Sequence, residues 1–193
     1  MNAVIRVAEK KDTAALRALY GQYIDTDITF ELTMPDMETY EKRIEETLKE
    51  FPYLVYEAEG RLLGYACAHR VRERDAYQWS AELSVYVDKN TRERGVGARL
   101  YEKLTELLKL QNVRNVYGAI TGSNVKSLRF HEKQGFRLIA TFEKIGFKNG
   151  RWMDVLWYEK NIAARDVPQP VIPFGKLDAA LIEGVLSASK QRL

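Results

Sequence analysis

Residues Arg92-Glu-Arg-Gly-Val-Gly-Ala98 decide how this chain is read. They follow an apolar strand pattern, Ser80–Val87 (SAELSVYV). They open a long amphipathic pattern, Gly95–Leu110, with Val96, Leu100, Leu104, Leu107 and Leu108 along one stripe. Glycines at 95 and 97 remove side chains where the backbone enters the helix. Several N–H groups there are free to meet an anion at the positive end of the helix. Arg92 and Arg94 add charge at the same mouth, which makes the segment a pyrophosphate cradle in chemical terms. Glycines also mark ordinary loop-to-helix turns, so the loop alone does not name its ligand. A dinucleotide fingerprint does not fit, because Leu100 stands at the third glycine position. No Walker lysine-serine pair is present either.

Upstream, Ala3–Val7 reads as a strand, and Asp12 is placed to cap a helix carrying Leu16, Leu19, Tyr20 and Tyr23. Asp25–Pro35 has no helical period and reads as a loop. Asp36 caps a second helix with Met37, Tyr40, Ile44 and Leu48 on one face. Tyr53–Ala58 and Leu62–Val71 flank the turn Glu59-Gly60-Arg61 as a hairpin. In Ser80–Val87, Leu83, Val85 and Val87 alternate with Glu82, Ser84 and Tyr86. Downstream come a strand at Val113–Ile120, a shorter helix opened by Asn124 and stopped by Gly135, and two strands around Lys148-Asn-Gly150, Phe136–Phe147 and Arg151–Glu159. The order β-α-α-β-β-β-α-β-α-β-β predicts one α/β domain over residues 1–162.

Past Asn161 the composition shifts. Three of the five prolines lie at 168, 170 and 173, which predicts an extended arm over residues 163–193 rather than a separate domain. A terminal helix carries Leu177, Leu181, Val185 and Leu186 on one face. The arm packs either on its own domain or on a second copy.

The 193 residues are 46% hydrophobic and 30% charged, and 30 Lys+Arg against 27 Asp+Glu leave a net charge of +3. This excess is interleaved along the chain and does not argue for nucleic acid. No apolar run approaches the ~18 residues of a membrane span, and Met1–Asp12 lacks a signal-peptide apolar region. One cysteine and two histidines leave no zinc site of the usual ligand types. The expectation is a cytoplasmic, metal-free protein.

Two linked motifs carry a family resemblance. Arg-x-x-Gly-x-Gly after Ser-Val-Tyr-Val resembles the coenzyme A signature of the GNAT acetyltransferase superfamily. Asn124-x-x-Ser127 followed by Phe130-His-Glu-Lys-Gln-Gly-Phe136 is similar to that superfamily's second signature. The resemblance covers about residues 3–160 and implies a GNAT fold: a mixed, mostly antiparallel sheet with splayed central strands flanked by helices. It implies acetyl-CoA as cosubstrate, with pantetheine along Val85, Tyr86 and Val87. The pyrophosphate would lie on Arg92, Glu93, Arg94, Gly95, Val96, Gly97 and Ala98, and Asn124 and Ser127 would also bind the coenzyme.

Closer features resemble phosphinothricin and methionine sulfoximine acetyltransferases: Thr29-Phe30-Glu31, Arg72-x-Arg74-x-x-Tyr77-x-Trp79, and Gly146-Phe-Lys-Asn-Gly-Arg-Trp152-x-Asp154. That pattern often carries lysine where Arg72 stands. The implied reaction moves acetyl to the α-amine of a small acidic amino-acid analogue by direct attack in a ternary complex, in a homodimer.

On spacing alone Glu82 is an exposed strand carboxylate and His131 a packed helix histidine. The resemblance makes Glu82 the base that frees the amine, since a thioester is attacked by the neutral form. It makes His131 a helper at the amine or the departing thiolate. Arg70, Arg72 and Arg74 alternate, so they share a face if the strand continues. As a solvated basic face they need no ligand; in the implied reaction Arg72 and Arg74 hold the substrate's anionic groups, and Phe30, Glu31 and Tyr77 wall the pocket. Other readings are acetylation of a different primary amine (a protein N-terminus, a polyamine, an antibiotic) and a non-catalytic acyl-CoA sensor. Retention of both Glu82 and His131 speaks against the sensor, and the arginines favour a compact anionic ligand.

Overall fold

The computed structural model describes residues 3–188. The first two residues of the expected 1–162 domain and the last five of the 163–193 arm lie outside the described residues. Period-two apolar runs form strands β1 (Ala3–Val7), β2 (Tyr53–Ala58), β3 (Arg61–Arg70), β4 (Ser80–Val87), β5 (Asn115–Thr121), β6 (Arg137–Lys148) and β7 (Arg151–Asn161). Helical stripes form α1 (Thr13–Gly21), α2 (Met37–Glu50), α3 (Val96–Leu110), α4 (Val125–Lys133) and α5 (Ala179–Ser187). The turns fall where left-handed backbone was anticipated: Glu59 and Gly60 have φ of 53° and 72°, and Gly135 has φ of 83°.

The sheet order is β1-β2-β3-β4-β5-β7-β6, with every pair antiparallel except β4 and β5. That parallel pair is short, joining Ser80–Glu82 to Asn115–Tyr117. Beyond it β4 stays with β3 to Val87 and β5 stays with β7 to Thr121, so the two strands part. This is the expected splayed, mostly antiparallel α/β sheet.

α3 buries its stripe on one face of the sheet; Leu100, Leu104, Leu107 and Leu108 are fully buried there, each contributing about 1.5–3 kcal/mol. α1 and α2 cover the other face around Tyr20, Tyr40, Tyr53 and Tyr65. The alternation in β4 assigns Leu83 to the α3 side and Tyr86 to the tyrosine layer, where it meets Tyr20 and Tyr65.

Two local expectations are corrected and one is met. Asp12 does not cap α1; its carboxylate accepts from Arg6 at 2.7 and 2.8 Å and from the Glu9 N–H at 2.8 Å. A two-pronged guanidinium contact outcompetes a single helix amide. β3 ends at Arg70, so Arg72 and Arg74 lie in the following loop rather than on a continuing strand face, and Arg70 itself pairs with Glu50 of α2. Asp36 does cap α2, accepting from the Thr39 N–H at 2.8 Å.

The arm packs on its own domain. The Trp79 indole donates to the Gln169 carbonyl at 2.8 Å, Phe174 enters the α3 core, and α5 lies against α3. Lys103 of α3 donates to the Val185 carbonyl at 2.6 Å.

Candidate functional site

The parting of β4 and β5 makes the site. Leu83–Val87 on one side and Gly118–Thr121 on the other have no strand partner across the gap. A cavity follows the gap, lined by Val85, Tyr86, Ala119, Asn124, Ser127 and His131 among others. An extended amide chain can pair with such an edge as an added strand would. One acceptor there is already engaged: the Tyr23 hydroxyl donates to the Val87 carbonyl.

At the outer end of β4 the cradle has its expected form. Gly95 adopts φ of 79° at the start of α3, a left-handed turn suited to glycine. No side chain caps this helix, so its first amides face outward with the positive dipole end. Gly97 sits between Val85 and Phe130, with room for a Cβ at 3.5 and 3.6 Å from them. The Arg92 and Arg94 side chains are exposed and make no hydrogen bond or ion pair among the described residues. Glu93 differs: its carboxylate accepts from Tyr56 at 3.1 Å and Arg99 at 3.2 Å, which holds its negative charge on neighbours of its own.

Glu82 is the last β4 residue before the strands part. Its carboxylate makes no hydrogen bond or ion pair among the described residues. Burial raises it above the usual carboxylate range, and the positive charge of Arg72 partly offsets that rise. Proton affinity is thereby increased at the point where the gap begins.

The opposite wall holds a dyad. His131, 3% exposed, carries its proton on Nδ1, which donates to the Ser127 carbonyl at 2.9 Å. Nε2 is then the acceptor of the Tyr101 hydroxyl at 3.1 Å. Burial lowers the imidazole's proton affinity and keeps it neutral. Burial also raises the Tyr101 phenol, as do, more weakly, nearby Cys67 and Glu82. Gly118 explains the fit: a Cβ there would stand 2.8 Å from His131 Nε2. Asn124 caps α4 by accepting from the Ser127 N–H at 3.2 Å, and the Ser127 hydroxyl lies 3.3 Å from His131 Nδ1. Both residues serve the helix carrying His131.

Among the expected substrate groups, Arg72 and Arg74 are exposed, with side chains making no hydrogen bond or ion pair among the described residues. Tyr77, 47% exposed, follows in a short turn whose N–H bonds the Arg74 carbonyl at 2.9 Å. Phe30 rests against Gly146 of β6, where a Cβ would come within 2.2 Å of its ring. The carboxylate of Glu31 pairs with Arg43 of α2 at 2.6 Å. Sequence reasoning passed over Tyr101, Gly118 and Ile28, which also line the cavity. A tyrosine within a helix's apolar face and a lone glycine inside a strand are the signals that could have found the first two.

Among the described residues no cluster of three or more His, Cys, Asp or Glu could hold a metal ion, and no helix is long and apolar enough to cross a membrane.

The acetyltransferase (GNAT) domain family model matches residues 5–157. The chain is 31% identical to a phosphinothricin N-acetyltransferase of Streptomyces viridochromogenes, over 88% of this chain and 93% of that protein. It is 28% identical to an L-methionine sulfoximine/L-methionine sulfone acetyltransferase of Pseudomonas paraeruginosa, over 84% of this chain and 96% of the relative. Among solved structures, a GNAT superfamily phosphinothricin acetyltransferase from Sinorhizobium meliloti, in complex with AcCoA, matches with a TM-score of 0.83 and 28% identity, covering 90% of this chain and 97% of that one. With the splayed strands, the uncapped glycine turn and the family match in agreement, the chain belongs to the GNAT acetyltransferase family.

Proposed function

We propose that the protein moves acetyl from acetyl-CoA to the α-amine of a small acidic amino-acid analogue of the phosphinothricin, methionine sulfoximine or sulfone type. The observation that carries this reading is the arrangement around Glu82. A half-buried carboxylate of raised proton affinity lies at the fork of β4 and β5 and feels the charge of Arg72, which shares the exposed β3–β4 loop with Arg74. The names of the relatives support the substrate class.

Bound acetyl-CoA supplies an acyl thioester, which a free amine attacks directly, so that the amide C–N bond forms as the thioester C–S bond breaks and coenzyme A leaves as the thiolate. The residues of this chain do the rest. Amides of Gly95–Ala98, with Arg92 and Arg94, hold the pyrophosphate, and the free β4 edge at Val85–Val87 orients the pantetheine arm. Glu82 takes the ammonium proton, directly or through water. Arg72 and Arg74 bind the acceptor's anionic groups, and Phe30 and Tyr77 flank it. Tyr101 holds a proton on the thioester side of the gap, with its hydroxyl oriented by His131 Nε2.

The same reading includes a homodimer. Phe142 on one face of the β6–β7 hairpin and the edge-to-face pair Phe147 and Trp152 on the other are exposed, as are Ile139 and Ile145, apolar surface suited to a second copy. A cytoplasmic setting suits the lone buried Cys67, whose thiol burial pushes up to about 12.

The test is a thiol-release assay with acetyl-CoA against amino-acid analogues, polyamines and peptides. The best rates should fall on acidic analogues. Arg74→Ala should lower efficiency toward them by about one to two decades while sparing uncharged amines. Turnover confined to peptides or polyamines would overturn the substrate assignment, and equal losses on both substrate types would remove the arginines from it.

A further inference from the structure

Lys148, the last residue of β6, is 5% exposed, yet it makes no ion pair within 4 Å among the described residues. Its ammonium instead reaches three backbone carbonyls of one loop: Ile24 at 2.5 Å, Thr29 at 2.7 Å and Glu31 at 2.8 Å. An ammonium has three donors, so its hydrogen-bonding capacity is used in full. The loop runs from the end of α1 to the start of α2, and its carbonyls have no helix or sheet ladder to join. It also reaches the gap, because Ile28 lines the cavity that His131 and Val85 line.

Neighbouring contacts tie the same segment to the far side of the sheet. Thr121 donates to the Asp27 carbonyl at 2.6 Å, and Asn149 donates to the Asp27 carboxylate at 3.1 Å. Arg151 pairs with that carboxylate as well. A loop made between two helices is thus positioned by β5 and by the β6–β7 hairpin. Among the described residues Lys148 is the side chain that bonds on both flanks of Ile28, since Ile24 lies before it and Thr29 and Glu31 after it.

We propose that Lys148 is a positioning residue for acceptor binding, fixing the loop that carries Ile28 and Phe30 against the gap without itself touching either substrate. This rests on the acetyltransferase reading above and adds a residue through which acceptor affinity is set. The Lys148 side chain makes no hydrogen bond to β4, α3 or α4, the elements of the coenzyme side, and its bonds go only to the α1–α2 loop, so the two substrates should respond differently to its loss. Arginine is a partial replacement: it keeps the charge, but its planar fork cannot meet three carbonyls converging on one point.

The test uses the full chain as Lys148→Met and Lys148→Arg, with phosphinothricin as acceptor, or the best acidic analogue of the panel. Lys148→Met should raise the acceptor KM by about tenfold or more, since misplaced binding groups are costly, while the acetyl-CoA KM stays within about twofold. Lys148→Arg should fall between. Hydrogen exchange of amides 24–31 should quicken in Lys148→Met by about tenfold or more, with the β2–β3 amides unchanged.

Equal rises in both KM values would overturn the proposal, as would loop exchange and acceptor KM that match wild type. If Lys148→Met does not fold, Lys148→Arg decides alone by the same KM contrast and exchange rates. Failure of wild type to acetylate any acidic analogue would count against the substrate reading. The exchange measurement needs no acceptor, so it separates that failure from failure of the loop assignment.

Discussion

Where the arm meets the domain, the fully buried Gln111 amide donates to the Glu50 carbonyl at 2.7 Å and the Ile172 carbonyl at 2.8 Å. The Ile172 N–H returns a bond to the Gln111 carbonyl at 3.1 Å, and Asn112 donates to Pro170 at 2.9 Å. At the gap the pattern reverses. The Glu82 carboxylate and the side chains of Arg72, Arg74, Arg92 and Arg94 have no hydrogen-bonded or paired partner among the described residues, and α3 starts without a side-chain cap. Both regions are rich in polar groups, but one uses most of them to close the chain on itself and the other leaves them open. Unpaired polar groups cost stability when half-buried. Only Glu82 among them is half-buried and bears that cost; the four arginines are exposed, solvated and available to an anionic ligand.

The strongest way to break that contrast is at Glu82. Glu82→Gln should lower the maximal rate by about two or more orders of magnitude with coenzyme binding intact. Burial raises the folded-state proton affinity of this carboxyl above its unfolded value. Its contribution to stability is therefore present below the ordinary carboxylate range and lost as pH rises through the folded pKa. A neutral glutamine escapes that loss, so the variant should melt no lower than wild type near neutral pH. In wild type the acid limb of the rate profile should lie above the ordinary carboxylate range, and the variant should flatten it. A variant that melts early yet turns over normally would make Glu82 a structural residue.

The next effect is at the cradle. A Cβ at position 97 meets Val85 and Phe130 at ordinary contact distances, so a side chain there leaves the fold standing. Gly97→Asp places a negative charge where the amides await one. Calorimetry should show coenzyme A affinity falling about tenfold, or 1.4 kcal/mol. Unchanged affinity would mean that the open helix end is not the anion site.

Much of this contrast could be read before any coordinates. The glycine turn, the alternation that isolates Glu82, and the order of strands and helices depend on local periodicity and backbone freedom, which sequence carries directly. The partners of polar side chains depend on chain segments far apart. Lys148 read as a turn residue because its three acceptors lie more than 110 positions upstream. Tyr101 was passed over because its partner, His131, belongs to another helix. Nothing in the sequence showed that Glu31 pairs with Arg43 of α2. The arm stayed ambiguous because a proline-rich segment has no period, and contacts such as Trp79 with Gln169 decide where it lies.

The smallest expected effect on catalysis is at the closed region, and it sharpens the contrast from the other side. Gln111→Leu keeps the volume and removes the two donated bonds, leaving the Glu50 and Ile172 carbonyls without that partner. Each such loss costs about 1–3 kcal/mol when the acceptor stays dry. Part is returned, because Gln111 Oε1 is itself buried without a partner in the native fold and disappears with the substitution. A net loss near 1–2 kcal/mol lowers the melting temperature of a chain this size by roughly 2–8 °C. The arm should loosen first, seen as faster exchange at the Ile172 amide, while kcat/KM and coenzyme affinity stay at wild-type values, since Gln111 lies at the far end of α3 from the cradle. With Glu82→Gln this makes a double dissociation: one substitution removes catalysis and spares the fold, the other weakens the fold and spares catalysis. If Gln111→Leu instead lowered turnover per folded molecule, the arm would be part of the site, and the division between closed and open regions would fail.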